Sequence, residues 1–159
     1  MKKTLLELLP PYPHTRQPFL KKCWCFIIIK KTMTINNQDQ LNVLGEKIQI
    51  CSCAPMTGWF RDGFCNYDKN DGGNHSICCV MDDNFLKYSK SQGNDLITPM
   101  PIYSFPGLKD GDHLCICLDR WKQALLDGLA PKVILESTNI VVLESVPLEK
   151  LKEYQFNKK

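Results

Sequence analysis

An apolar run followed by an amphipathic stretch with helix-end signals constrains the fold of this chain more than any other feature. Residues 76–81 form a short apolar run that predicts a buried strand. The next stretch, 83–92, predicts a helix, because Asp82 or Asp83 is suited to cap its first turn. Gly93 follows where a left-handed residue commonly ends a helix. A strand leading into a helix is therefore predicted here.

The same pattern returns about thirty residues later in the chain. Residues 113–118 predict a second buried strand, and Asp119 is expected to cap the helix that follows. Trp121 shares a helical face with other apolar residues and is predicted to anchor the core. Gly128 is expected to end this helix. Two such units require a sheet with helices packed on it.

The remaining elements are shorter and complete an α+β prediction. Residues 132–135 predict a third strand, and 140–143 favour a strand because of their β-branched content. Pro147 is expected at the first position of a last helix. We therefore expect a small mixed sheet with two or three helices packed on it, preceded by an irregular, turn-rich N-terminal third.

Residues 1–33 do not conform to this pattern and are predicted to be an extension outside a single domain at 34–159. The basic excess is confined to this segment, where Lys and Arg outnumber the acidic Glu7 by seven to one. Its apolar run, 23–29, is too short for a transmembrane helix, which needs about 20 residues. A net charge of only +3 for the whole chain argues against nucleic-acid binding through bulk charge.

We expect the protein to be cytoplasmic.

Three long stretches resemble the bacterial domain of unknown function family 2237. They are residues 55–63, residues 85–96, and residues 105–112 with the following Cys115-Ile116-Cys117 and Arg120-Trp121-Lys122. Together they cover about residues 42–155 in the right order. The resemblance implies a compact single domain of mostly bacterial origin. It implies no activity and no catalytic or binding residue, so the sites below are argued from the residues themselves.

The cysteines allow a metal site as one alternative. Seven of the nine cysteines lie in the predicted domain, and an odd number without a secretory signal predicts reduced thiols. Cys51 with Cys53, and Cys115 with Cys117, form two C-x-C pairs in which both side chains share one face of a strand. These four residues are the candidate ligands of a zinc ion. Packing of the thiols in a reduced core, with no cofactor, is the favoured interpretation.

Polar residues in two turn-rich segments predict a binding site. Arg61, Asp62 and Asn66 lie in a loop punctuated by glycines and held by aromatic residues, and Asn94 and Asp95 follow the first predicted helix. Rigid apolar walls with a few fixed polar groups are typical of binding pockets. The first functional hypothesis is therefore a module that binds a small molecule or a protein partner. The structural alternative is that these side chains only stabilise turns.

A cysteine-dependent enzyme is the second functional hypothesis. Cys65 is the candidate nucleophile, and His75 is the candidate base at the start of the first strand. A lone histidine in that position is more often structural, and the sequence does not show whether the two residues meet. Phosphate-binding loops, dinucleotide-binding fingerprints and the common hydrolase motifs are absent from the sequence. Thiol alkylation discriminates between an enzyme and a binding module.

Overall fold

A computed structural model describes residues 40–157, and the predicted extension at 1–33 lies outside the described residues. Within this part, three strands and three α-helices alternate, which confirms the α+β prediction. The strands are β1 (Ile77–Val80), β2 (His113–Ile116) and β3 (Lys132–Val133). The helices are α1 (Asp83–Ser91), α2 (Leu118–Leu126) and α3 (Leu148–Glu153). None of the helices in this part is long and apolar enough to cross a membrane.

The sheet has the order β2-β1-β3, with antiparallel pairing between neighbouring strands. Cys78 of β1 lies directly opposite Cys115 of β2. A parallel pairing occurs only as an isolated bridge between Val133 and Gln155 in the described chain. Because β1 and β2 are antiparallel neighbours, the residues that precede β1 and those that follow β2 meet at one end of the sheet.

The ends of α1 follow the local sequence as predicted. The Asp82 side chain accepts a hydrogen bond from the Phe85 N–H at 2.9 Å. Gly93 takes a left-handed conformation with φ of 80° just beyond the helix. The cap residue therefore satisfies one of the N–H groups that a helix leaves unpaired at its first turn.

The prediction that Asp119 caps α2 is wrong, because the helix begins earlier. Cys117 occupies the N-cap position, and the Leu118 N–H donates to the Asn74 carbonyl at 3.1 Å. This backbone bond lets the chain turn directly from β2 into the helix. Asp119 instead lies in the first turn, where its negative charge faces the positive end of the helix dipole.

Residues 140–143 do not form the strand that their β-branched content favours. Ile140–Glu144 is a 3₁₀ helix, because the Asn139 side chain caps it by accepting from the Val141 N–H at 3.1 Å. The Asn139 N–H itself donates to the Ser76 carbonyl at 2.8 Å. One residue thus pairs with the sheet and starts a helical turn. Pro147 similarly precedes α3 as its N-cap rather than its first residue.

The two faces of the sheet are covered by different kinds of core. On one face the main apolar core surrounds Trp121, which is fully buried, so its predicted role as an anchor is confirmed. The Trp121 indole N–H donates to the Pro131 carbonyl at 3.2 Å. On the other face lies a smaller cluster of buried residues: Ile48, Cys51, Cys65, Cys78 and Cys115. We call this cluster the cysteine layer.

Candidate active site

A cysteine, a histidine and an aspartate lie in hydrogen-bond contact at the end of the sheet where β1 begins and β2 ends. The Cys117 Sγ is 3.1 Å from the His75 Nε2. The other ring nitrogen, Nδ1, is 2.8 Å from the Asp71 Oδ1 and 3.0 Å from the Oδ2. Cys117 and His75 are 42 residues apart in the sequence, so the pairing of β1 with β2 brings them together.

The loop before β1 holds the His75 ring through the Asp71 carboxylate. This carboxylate accepts from the Gly73 N–H at 3.1 Å and from the His75 N–H at 2.7 Å, in addition to its contact with the ring. The Asp71 side chain is only 1% exposed. Its backbone contacts fix its orientation, so the carboxylate serves as a rigid support for the imidazole.

The same loop is tied to the start of α2 at Asn74. This residue has a φ of 48°, a left-handed conformation that asparagine tolerates better than most residues. Its carbonyl accepts from the Leu118 N–H, next to Cys117 in the chain. The histidine loop and the cysteine therefore share a direct backbone connection, besides the contact between their side chains.

Gly73 leaves room for the cysteine and histidine to meet. A Cβ atom at this position would lie 2.6 Å from the His75 Cε1 and 3.0 Å from the Cys117 Sγ. Real Cβ contacts are essentially never shorter than 3.0 Å. Gly72 differs, because a Cβ there would meet no atom within 4 Å. The packing of the His75 and Cys117 side chains thus requires glycine at position 73 but not at position 72.

The electrostatics of the site favour a charged imidazole. The pKa of His75 is raised to about 9, mainly by its hydrogen bond to Cys117 and further by the negative charges of Cys117 and Asp71, while burial opposes the rise. At neutral pH the protonated ring donates from Nε2 to the sulfur and from Nδ1 to Asp71. Burial would raise the pKa of Asp71, but hydrogen bonds from His75 and Gly73 outweigh it and lower that pKa.

Solvent access separates Cys117 from the other free cysteine in residues 40–157. Cys117 is partly exposed, and the His75 side chain is 35% exposed. Cys79 is fully buried in the main core, and burial raises the pKa of its thiol. A thiol needs solvent access to react, and of these two cysteines only Cys117 has it.

The proposed nucleophile Cys65 is not available for catalysis in this structure. It forms a disulfide with Cys115 and is fully buried, and a second disulfide joins Cys51 to Cys78. The prediction that the cysteines of the domain are reduced thiols is therefore wrong for these four residues. The disulfides form because loops fold across the face of the sheet that carries Cys78 and Cys115. No spacing rule in the sequence identifies which cysteines pair.

The four predicted zinc ligands do not assemble in the structure. Cys51 and Cys115 belong to different disulfides, Cys53 is also disulfide-bonded, and Cys117 contacts His75. In each C-x-C pair, the two cysteines therefore have different bonding partners. The sulfurs that do lie together are those of Cys51, Cys65 and Cys78, within 4.8 Å of one another.

The residues of the predicted polar-loop site make local contacts. Arg61 donates to the Met56 carbonyl at 3.4 Å, while Asp62 accepts from the Phe64 N–H at 3.0 Å and from the Asn66 amide at 3.3 Å. The Asn94 amide donates to the Ser89 hydroxyl at 3.0 Å.

Asp95 behaves in the same way. Its carboxylate accepts from the N–H groups of Ile97 and Thr98 and from the Thr98 hydroxyl, and it forms an ion pair with Lys90 at 2.9 Å. These contacts stabilise the turn after α1. They do not join this segment to the loop at Arg61, and the binding site remains a prediction.

Two members of the observed site, Asp71 and Cys117, were not predicted as catalytic. Asp71 is four residues before His75 in a glycine-rich loop, and this spacing is the local signal that points to it. The sequence pattern predicts that Cys117 belongs to a buried strand. The signal that distinguishes it is its place between the last apolar strand residue, Ile116, and the start of a helix.

The comparisons with known proteins establish the family and no activity. A family described as an uncharacterized protein conserved in bacteria, DUF2237, matches residues 41–155. The match spans more than half of the 159 residues, so this chain belongs to the DUF2237 family. No curated protein matches the chain. The matched range includes the whole Cys117, His75 and Asp71 site.

Proposed function

We propose that this DUF2237 protein is a cysteine-dependent enzyme of acyl transfer or hydrolysis, with Cys117 as its nucleophile. The proposal is supported by one observation, the continuous contact from the Cys117 sulfur through the His75 ring to the Asp71 carboxylate. A nucleophile, a base and a third group that orients the base, all within hydrogen-bond reach, are the general signature of covalent catalysis.

His75 serves as the proton carrier of the proposed reaction. Its Nε2 lies 3.1 Å from the Cys117 sulfur, so the ring is placed to take the thiol proton and to hold it beside the sulfur during attack. Asp71 is a positioning residue, which fixes the ring and favours its charged form. A catalytic base needs hydrogen-bond geometry before any particular pKa, and the structure provides that geometry.

The reaction follows from these roles. The Cys117 thiolate attacks the carbonyl carbon of an ester, a thioester or an amide, and the carbonyl π electrons move onto the oxygen. When the tetrahedral intermediate collapses, the leaving group departs with the proton from the His75 Nε2, and an acyl thioester remains on Cys117. His75 then accepts a proton from water as the water attacks the thioester. The acid leaves and the thiolate with the protonated ring is restored.

The start of α2 supplies hydrogen-bond donors beside the nucleophile. Cys117 is the N-cap residue and its side chain does not cap the helix. Within the part of the chain that the structure describes, the Asp119 and Arg120 N–H groups have no backbone acceptor. Such donors, with the positive end of the helix dipole, stabilise negative charge that develops on a carbonyl oxygen during attack.

Burst kinetics with p-nitrophenyl acetate test the proposal. Wild-type protein is expected to release one equivalent of nitrophenolate rapidly and to carry an acetyl group on Cys117 in the mass spectrum. Cys117→Ser should lose the burst, while Cys79→Ala should retain it, because Cys79 is buried away from the site. An undiminished burst in Cys117→Ser, with that variant folded by circular dichroism, overturns the proposal.

Iodoacetamide labelling distinguishes this enzyme from the binding module that the polar loop predicts. The His75 Nε2 lies 3.1 Å from the Cys117 sulfur, where it is placed to accept the thiol proton. Cys117 should therefore be alkylated faster than the buried Cys79, and His75→Asn should slow the alkylation of Cys117. Uniformly slow labelling of wild type supports the binding module and contradicts the enzyme.

A further inference from the structure

The cysteine layer brings four sulfurs together away from the candidate active site. Cys78 and Cys115 are opposite one another on β1 and β2, and each is bonded to a cysteine from a covering loop, Cys51 or Cys65. The Sγ atoms of Cys51, Cys65 and Cys78 lie within 4.8 Å of one another, and Cys115 is bonded directly to Cys65. All four residues are buried.

This spacing is close to that of a thiolate metal site. With Zn–S bonds of about 2.3 Å, tetrahedral geometry places the sulfurs about 3.8 Å apart. The two bonded sulfurs of each disulfide would have to separate by about 2 Å, and Cys115, which lies outside the group within 4.8 Å, would have to move toward Cys51 and Cys78. Four sulfur donors are the set that selects zinc or iron over magnesium and calcium.

We propose that reduction of the two disulfides converts the cysteine layer into a four-thiolate site for a divalent zinc ion. Each disulfide accepts two electrons and two protons from one dithiol reductant, which becomes a cyclic disulfide. The four thiols then bind Zn²⁺ as thiolates and release their four protons to solvent. The layer would thus be cross-linked by two disulfide bonds in its oxidised form and by a bound zinc ion in its reduced form.

Hydrogen bonds as well as disulfides hold the backbone around the layer, so we expect it to keep its place after reduction. The Cys78 N–H donates to the buried Thr138 hydroxyl at 3.1 Å, and the Cys115 N–H donates to the buried Thr57 hydroxyl at 2.8 Å. On the loop side, the Cys51 N–H donates to the Gly63 carbonyl at 2.8 Å. The reduced thiols therefore stay close enough to share an ion.

A cavity borders the cysteine layer at Cys51. It has a volume of about 490 Å³ and its lining includes Cys51, His113 and Phe156. The His113 ring Nδ1 is 3.3 Å from the Cys51 backbone carbonyl, so this ring lies against the loop that carries Cys51. In a cytoplasmic location, as the sequence predicts, thiol reductants favour the reduced form.

Cobalt titration of the full chain tests the site. Protein reduced with dithiothreitol and freed of it under argon is expected to bind one Co²⁺ per chain, with thiolate-to-cobalt charge-transfer absorption and the intense visible bands of tetrahedral cobalt. Zn²⁺ should displace it, because zinc binds such sites more tightly than cobalt. The oxidised protein should bind none. Reduced protein that is folded and shows no charge-transfer absorption overturns the proposal.

Two variants assign the ligands. Cys65→Ser removes one thiolate and should weaken zinc affinity by more than 100-fold in competition with a chromophoric chelator. Cys79→Ala, which alters a buried thiol on the other face of the sheet, should bind zinc as wild type does. If both variants bind alike, the layer is not the site. If reduced wild type unfolds and zinc does not refold it, the proposal is also overturned, whatever the variants do.

Discussion

Cys115 and Cys117 are two residues apart, but their environments differ. Cys115 is 3% exposed and disulfide-bonded to Cys65. Cys117 is partly exposed, carries a free thiol and contacts the His75 ring. The boundary between them is Ile116, the last residue of β2.

The difference shows that the environment of each thiol depends on whether the cysteine lies within β2 or beyond its end. The two-residue spacing of the cysteines does not determine it. Residues within β2 are covered by the loops that carry Cys51 and Cys65. Cys117 lies beyond this cover, at the N-cap of α2, where its sulfur contacts the His75 ring. Burial disfavours a thiolate, as the raised pKa of Cys79 illustrates, whereas a helix start and a cation favour it.

The largest effect is expected from removing the histidine. His75→Asn should reduce kcat/KM for ester hydrolysis by about 100- to 10,000-fold, the range for loss of a general acid–base group. The two disulfides should remain intact in the mass spectrum, because His75 is not part of the cysteine layer. Retained activity would mean that Cys117 does not depend on His75, and the contrast between the two cysteines would lose its chemical basis.

Loss of one disulfide should mainly affect stability. Cys65→Ala/Cys115→Ala opens a loop with a sequence separation of 50 and should lower the free energy of unfolding by about 4 kcal/mol under metal-free conditions. The matched pair Cys51→Ala/Cys78→Ala, with a separation of 27, should cost slightly less. Urea denaturation measures both. Alkylation of Cys117 should persist, and its loss would show that the two regions are coupled.

The packing of the active-site loop should give a smaller effect. Gly73→Ala forces the His75 ring away from its position, so we expect kcat/KM to fall by about 10- to 100-fold, because small displacements of catalytic groups have such costs. Gly72→Ala is the matched control and should leave kcat/KM unchanged, since its Cβ meets nothing. Equal effects of the two substitutions would mean that Gly73 does not act through the cysteine and histidine.

The smallest effect concerns the pH dependence of stability. The folded-state pKa of His75 is about 9, above its ordinary value of 6.5, so protonation favours the folded state. The stabilisation from this charge is fully present below about pH 6.5 and is lost as the pH rises through about 9. The difference in unfolding free energy between wild type and His75→Asn should therefore shrink from pH 6 to pH 9.5. If the difference in unfolding free energy stayed constant over this pH range, the His75 ring would not carry the positive charge assigned to it.

Much of the fold could be predicted because its signals are local. Asp82 and Gly93 mark the ends of α1 within a few residues of each other, and the apolar run of β1 is continuous. The failures occurred where a distant partner determines the conformation. Asn139 pairs with Ser76 and starts a 3₁₀ turn, so the β-branched residues after it do not form a strand.

The candidate site was only partly visible in the sequence for the same reason. His75 could be selected as a base from its residue type, but its partner depends on strand register. The sequence offered seven cysteines in the domain, and only the antiparallel pairing of β1 with β2 selects Cys117. Disulfide connectivity likewise depends on how loops cross the sheet, which spacing does not encode.

The hydrogen bond from the Leu118 N–H to the Asn74 carbonyl has a kinetic consequence. It lies at the end of the β1–β2 ladder, and β2 is an edge strand in the described sheet. Ends of ladders open locally at a lower free energy than the whole protein unfolds. Each such opening is expected to separate the sulfur from the ring, so the contact on which the proposed reactivity depends exists only during the closed intervals. Amide exchange at Leu118 and alkylation of Cys117 should therefore respond together, and in opposite directions, to low concentrations of urea.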